Sequence, residues 1–380
     1  MLDVSRWGTL HARYDKDRPH RLLALDGGGI RGLITLGILE RLEELVKARG
    51  HGALHEYFDY IAGTSTGAII AAGLARVMSV GELIAFYEAH GAAMFSPSWL
   101  WQWGKYFYSA GPLAGQLKTV FGATTTLQPD HLQCLLMIVA KNVTTGSPWP
   151  ISSNPDAKYN DLARGDCNLR IPLWQLVRAS TAAPAFFRPE IVACDPTDPS
   201  KTFVFVDGGI TPYNNPGFLL YRMATEPAYR LNWRAGERAL LLVSVGTGAA
   251  EQAGVTAAAP NRDLFSIVTG LPAEFMYGMQ VDQDVSCRTV GRCTFGAALD
   301  REIGTLVPSH PLTVDLGRRF LYVRYNADLS EASLMRMQFP NLTSERIQKM
   351  DAVENIRALL AIGRIAGHEQ VSLTHLGPFV

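Results

Sequence analysis

Short apolar runs alternate along this chain with longer stretches in which apolar residues recur every three or four positions. Residues 21–26 (RLLALD) form a run too short for a helix and suited to a buried strand. Beyond it, Ile30, Leu33, Ile34, Ile38, Leu42, Leu45 and Val46 fall on one helical face, with Glu43 and Lys47 paired four apart on the wet side. Gly50 and Gly52 end that pattern. Residues 58–62 predict a second strand, leading into a helix over roughly 66–77. Residues 135–139, 203–206 and 239–245 predict further strands, the last so continuously apolar that it belongs in the middle of a sheet. Residues 343–366 predict another amphipathic helix, with Ile347, Met350, Val353, Ile356 and Leu360 on one side. Strands alternating with helices imply an α/β layered fold. With no repeat and no low-complexity linker, one domain is expected over 20–330, with an N-terminal arm at 1–19 and a helical extension packed on it at 331–380.

Charge and composition narrow the function. The chain has 380 residues, with 35 Lys+Arg against 35 Asp+Glu and a formal net charge of zero. It lacks the surplus of basic charge that draws a protein to nucleic acid, so nucleic acid is not an expected partner. Residues 1–20 have no uninterrupted apolar core of a signal peptide, and the most apolar run, 68–75, is far short of the roughly 20 residues that span a bilayer. The expectation is a cytoplasmic protein that meets membranes transiently. Cys134, Cys167, Cys194, Cys287 and Cys293 form neither a disulfide framework nor zinc-ligand spacing, and read as free buried thiols. His51 and His55, with Gly52 between them and no helical pattern, do not read as a metal pair. Glycine is the unusual count: 35 residues against roughly 27 at the average usage of about 7%.

Much of that surplus sits in three corners, each following a strand and leading towards a helix. The first is Asp26-Gly27-Gly28-Gly29-Ile30-Arg31-Gly32. Glycines there let the backbone turn without Cβ clashes and aim amide N–H groups outward at the positive end of a helix, which makes an anion site. The anion could be a dinucleotide pyrophosphate, since Gly27-x-Gly29-x-x-Gly32 has the Rossmann spacing, or a developing oxyanion. The dinucleotide reading needs an acidic residue ending the next strand, and residues 50–56 are loop-like instead. The second corner, Gly63-Thr64-Ser65-Thr66-Gly67, has the strand, sharp turn and helix of a nucleophile elbow, although Ser65 could also simply cap the helix. A serine nucleophile needs a base. In α/β-hydrolase order the base would be His310, His368 or His375, of which His310 is the best placed. The third corner offers Asp207, at a strand end before Gly208 and Gly209, which could equally be an Asx-turn residue. A carboxylate in water, with pKa about 4, is a weak base at neutral pH; burial beside a hydroxyl would raise it.

Taken together, the three corners resemble the patatin-like phospholipases, lipid acyl hydrolases that use a Ser–Asp dyad and no histidine. Residues 179–187 (ASTAAPAFF), Asn214-Asn215-Pro216 and 243–248 (VSVGTG) add to the likeness, which covers roughly 20–330. The resemblance implies a three-layer fold with a central, mostly parallel sheet flanked by helices. It implies Ser65 as nucleophile, Asp207 as base, Gly208 and Gly209 as supports of the base loop, and the backbone of Gly27, Gly28, Gly29, Ile30 and Arg31 as the oxyanion hole. It implies no metal or other cofactor, and a phospholipid or other acyl lipid as substrate. Arg31 opposes the helix dipole and so should have a partner, a lipid phosphate or, with slight preference, an internal carboxylate.

Residues 94–108 (MFSPSWLWQWGKYFY) hold Trp99, Trp101 and Trp103 and suit a lid or a peripheral membrane contact as well as they suit core packing. The competing readings are a Ser-His-Asp esterase, a non-catalytic nucleotide or phosphate binder built on the 27–32 loop, and a storage or scaffold protein with a vestigial site. A lipase that was always active would endanger its own membrane, so control by a ligand, a partner or self-association is expected.

Overall fold

The computed structural model describes residues 2–95, 110–184, 187–250, 264–300, 302–308 and 317–380. Nine strands are present among the described residues: β1 His20–Leu25, β2 Tyr60–Thr64, β3 Leu135–Asn142, β4 Ser147–Ser152, β5 Glu190–Ala193, β6 Thr202–Asp207, β7 Leu240–Val245, β8 Arg292–Phe295 and β9 Leu321–Tyr325. They form one sheet in the order β5-β6-β3-β2-β1-β7-β9-β8, with β4 paired to β3. The run β3-β2-β1-β7-β9-β8 is parallel throughout, whereas β4, β6 and β5 join antiparallel. The expected central strand, β7, lies between β1 and β9 with every residue buried.

Strand periodicity splits the core into two layers. Leu23, Leu25 and Ile61 face one side, against helices Gly32–Ala48, Thr66–Ala75, Leu173–Ser180 and Ile356–Gln370. Leu22, Ala24, Tyr60 and Ala62 face the other, against helix Gly217–Thr225 and the N-terminal arm, through Leu219, Leu220, Trp7 and Tyr14. Helix Thr66–Ala75 is buried on every side, which is why its sequence is apolar all round. The arm is pinned by Arg13, which donates to Asp59 at 3.0 Å and to the carbonyls of Glu56, Phe58 and Gln133.

The helix expected over 343–366 is broken. Its residues form Ser344–Ile347, a 3-10 turn at Val353–Asn355, and a helix Ile356–Gln370. The apolar positions Ile347 and Leu360 are buried on either side of the break, and the chain between turns inward so that the Met350 carbonyl accepts from Ile30 N at 2.9 Å. Helix Ile356–Gln370 lies so close on helix Gly32–Ala48 that a methyl group at Gly37 would meet the backbone of Gly363 and Arg364. Among the described residues, no helix is long and apolar enough to cross a membrane. All five cysteines are free and buried.

Sheet register assembles the site. Leu25 pairs with Gly63 on one side and Val245 on the other, so the glycine loop after β1 and the elbow after β2 emerge together. Thr64 pairs with Val139, and the next residue of β3, Ala140, pairs with Asp207. An antiparallel strand thus delivers its last residue, Asp207, beside the C-terminal end of a parallel one.

Candidate active site

Ser65 stands between β2 and helix Thr66–Ala75 at φ 53° and ψ −121°, a conformation that non-glycine residues rarely adopt and that the surroundings must enforce. The turn is tight enough that a methyl group at Gly67 would fall on the Leu25 carbonyl. The Ser65 side chain does not cap its helix. Its Oγ donates to Asp207 Oδ2 at 2.7 Å. Its amide donates to Ser180 Oγ at 2.9 Å, and that hydroxyl in turn donates to the Val139 carbonyl at 2.6 Å. Ser180 closes helix Leu173–Ser180 and fixes the elbow against β3.

Asp207 is 5% exposed. Its Oδ1 accepts from Gly209 N at 2.7 Å, so the Asx-type turn and the contact with Ser65 coexist on one carboxylate. A methyl group at Gly208 would meet the Val139 carbonyl, so the base loop lies flush on β3. Burial pushes the Asp207 pKa up to about 6, against the opposing pull of the Gly209 amide, the Ser65 hydroxyl and the Arg178 guanidinium. Arg178 is itself buried, with Nε and Nη1 unpartnered among the described residues. Sequence reasoning passed over Ser180, which lies in the small-residue stretch 179–187, and Arg178 just before it.

The glycine loop abuts the nucleophile: a methyl group at Gly27 would lie 3.2 Å from Ser65 Cβ. Not all of its amides face outward. Gly27 N donates to the Asn214 carbonyl at 3.1 Å, Ile30 N to the Met350 carbonyl at 2.9 Å, and Arg31 N to the Gly28 carbonyl at 3.3 Å. The amides of Gly28 and Gly29 donate to no described residue. Of the amides expected to act together at Gly27, Gly28, Gly29, Ile30 and Arg31, those of Gly27, Ile30 and Arg31 are thus committed to carbonyls, and those of Gly28 and Gly29 are not committed to any described residue. Met350 carries no side-chain signal of this role, because only its carbonyl is used.

Two arginines hold the loop from behind. Arg324 grips the buried Asp26 with both guanidinium nitrogens, at 2.9 and 2.5 Å, and Gln280 Nε2 donates to the same carboxylate at 2.6 Å. Burial alone would lower the Arg324 pKa, but the Asp26 carboxylate reverses this and holds it above its ordinary value. Among the described residues, Arg31 forms no ion pair with the internal carboxylate expected for it. It donates to the carbonyls of Gly248 at 3.1 Å and Gly28 at 3.4 Å. Burial moves its pKa down to about 10, offset in part by Asp26. The carboxylate that offsets this, Asp26, is the one Arg324 holds.

Of the candidate histidines, His375 is bonded to the Tyr325 hydroxyl at 3.1 Å and stacked on Phe295, while His368 is exposed. No described histidine bonds Ser65 or Asp207. His310 lies outside the described residues, as do Trp99, Trp101 and Trp103.

The profile of the patatin-like phospholipase family matches residues 23–221. A cGAMP-activated phospholipase of Vibrio cholerae serotype O1 is 30% identical over 218 residues, covering 52% of this chain and 56% of that protein. One of Escherichia coli, also named a cGAMP-activated phospholipase, is 32% identical over 215 residues, covering 53% and 55%. Patatin-1-Kuras 2 of Solanum tuberosum is 28% identical over 246 residues, covering 60% and 62%. The match spans little more than half the length of these relatives. The matched span holds the glycine loop, the elbow and the base corner, and the chain belongs to the patatin-like phospholipase family.

Proposed function

We propose that this protein is a serine acyl hydrolase that cleaves ester bonds of phospholipids or other acyl lipids. The observation that carries the proposal is the 2.7 Å bond from Ser65 Oγ to Asp207 Oδ2, made to a carboxylate whose pKa burial has raised to about 6. Such a group is largely ionised at neutral pH and closer to its task than an ordinary carboxylate. Asp207 takes the Ser65 proton as Oγ attacks the ester carbonyl carbon. The carbonyl oxygen becomes an oxyanion against the amides of Gly28 and Gly29, one such donor being worth about 3 kcal/mol of barrier. When the tetrahedral species collapses, Asp207 gives the proton to the leaving alcohol and the acyl group stays on Ser65. Water, deprotonated by Asp207, then attacks the acyl carbonyl; as the bond to Ser65 Oγ breaks, Asp207 returns the proton to Oγ and the fatty acid leaves.

Family membership and the relatives' names support a lipid substrate. Two relatives are named for activation by cGAMP, and by that likeness we assign this enzyme an activating ligand as well. Contact with the lipid surface is peripheral and transient. The catalytic unit is residues 20–330, and the 331–380 extension supports it through the Met350 carbonyl. A fluorophosphonate probe tests the reading: the wild type labels and Ser65→Ala does not. A wild type that resists labelling overturns it.

A further inference from the structure

The N-terminal ends of the parallel strands, at the edge of the sheet away from Ser65, also come together. His20 pairs with Leu240, Leu241 with Leu321, and Leu321 with Arg292, so the chain entering β1, β7, β9 and β8 converges on one rim. These segments line a cavity of about 750 Å³, within the range of small-ligand sites. Its described lining holds six arginines, Arg18, Arg234, Arg238, Arg292, Arg318 and Arg319, against two carboxylates, Asp17 and Glu237.

That imbalance is local. The whole chain has equal numbers of basic and acidic residues, so a cluster of like charges in one concavity is not a by-product of a basic protein, and clustering them costs self-repulsion. The cluster is only partly neutralised from within. Glu237 is taken by Arg292 at 3.0 Å, and Arg18 lies 3.9 Å from Asp59, which Arg13 already holds at 3.0 Å. Arg319 donates to the Tyr221 hydroxyl at 3.3 Å. The side chains of Arg234, Arg238 and Arg318 have no hydrogen-bond or ion-pair partner among the described residues. Guanidinium groups present fixed forks of donors that match phosphate oxygens two at a time, and a concave wall of one sign concentrates the field on an incoming anion. The apolar lining is confined to Pro19, Ala235 and Ala239, which gives an acyl chain or a bilayer little to bury against.

We propose that this cavity binds a soluble ligand carrying two or more phosphate charges. The claim does not depend on what Ser65 does. Titration calorimetry on the full chain, with inorganic pyrophosphate and with cyclic GMP–AMP as separate probes, tests it. Wild type and Ser65→Ala should bind at least one probe equally well. The triple variant Arg234→Ala, Arg238→Ala, Arg318→Ala should weaken that binding by roughly tenfold or more, the loss of charged hydrogen bonds to the ligand. Because these side chains have no hydrogen bond or ion pair to lose among the described residues, the variant should melt close to the wild type. Ala235→Glu, which adds a carboxylate to the lining and removes no arginine, should weaken binding in the same direction. Failure of both probes to bind the wild type, or unchanged binding by the triple variant, overturns the proposal. It is also overturned if neither probe binds while the triple variant loses sedimentation with phosphatidylglycerol vesicles, which would make the rim a membrane contact.

Discussion

The two ends of the same parallel strands solve opposite problems. Where β1, β2 and β7 finish, the Ser65 amide goes to Ser180, Gly27 and Ile30 donate to carbonyls, and Asp26 is held by Arg324. That leaves the Ser65 hydroxyl against a buried carboxylate, with two amides, Gly28 and Gly29, uncommitted to any described residue. Where β1, β7, β8 and β9 begin, arginines gather and several have no partner among the described residues. Burial makes one atom decisive at the first end, because a misplaced or unpaired group there cannot be rescued by water. At the second end the charges are solvated and individually weak. Single substitutions should therefore be severe at the C-terminal edge and mild at the N-terminal edge.

The largest effect is expected for Asp207→Asn, which keeps the shape and removes the carboxylate proposed as base: kcat on a soluble ester should fall roughly 10⁴-fold. Stability should move the other way. The folded protein holds the Asp207 proton more tightly than the unfolded chain does, with a pKa raised from 3.8 to about 6. Its contribution is therefore complete at low pH and is lost as pH rises through that interval. Asp207→Asn should stabilise the fold at pH 7 by roughly 2–3 kcal/mol and by almost nothing near pH 4, as read from urea unfolding. Next comes Gly28→Ala. The added methyl would collide with the Thr247 side chain and displace the amide, so kcat should drop about 100-fold or more with KM little changed. Ser180→Ala removes the acceptor of the Ser65 amide and should lower kcat about tenfold, an effect of one buried hydrogen bond; Ser180→Thr, which keeps the hydroxyl, should recover part of it. Smallest is Arg238→Ala, at the other edge, for which hydrolysis of a soluble ester should change by less than about twofold. A large loss there would erase the distinction between the two ends.

Much of the site was legible because close packing leaves marks on sequence. A backbone that must pass another backbone at Gly67 or Gly208 excludes any side chain, and an apolar helix such as Thr66–Ala75 announces its burial. Five of the nine strands could be read as apolar runs. The others hide for particular reasons. Strand β9 (LYVRY) carries the buried Arg324 that grips Asp26, so it reads as half polar. Strand β4 (SPWPIS) has two prolines and lies to one side of the main strand order. The break near Met350 was invisible because the apolar period continues across it, and the carbonyl that fixes Ile30 belongs to the backbone. Which amides of the 27–31 loop stay uncommitted likewise depends on which find carbonyls, and the side-chain sequence does not encode that.

The pH dependence of kcat/KM on a soluble short-chain ester tests the central claim, that a buried carboxylate and no histidine serves Ser65. The profile should be flat at high pH and fall with unit slope below about 6, the pKa burial imposes on Asp207. Replacing Arg178, whose charge pulls that pKa down, with methionine should move the midpoint upward. His310→Ala, His368→Ala and His375→Ala should each leave the profile where it was. A midpoint near the ordinary carboxylate value of about 4, or one that disappears in a histidine variant while Asp207→Asn still turns over, would contradict the account.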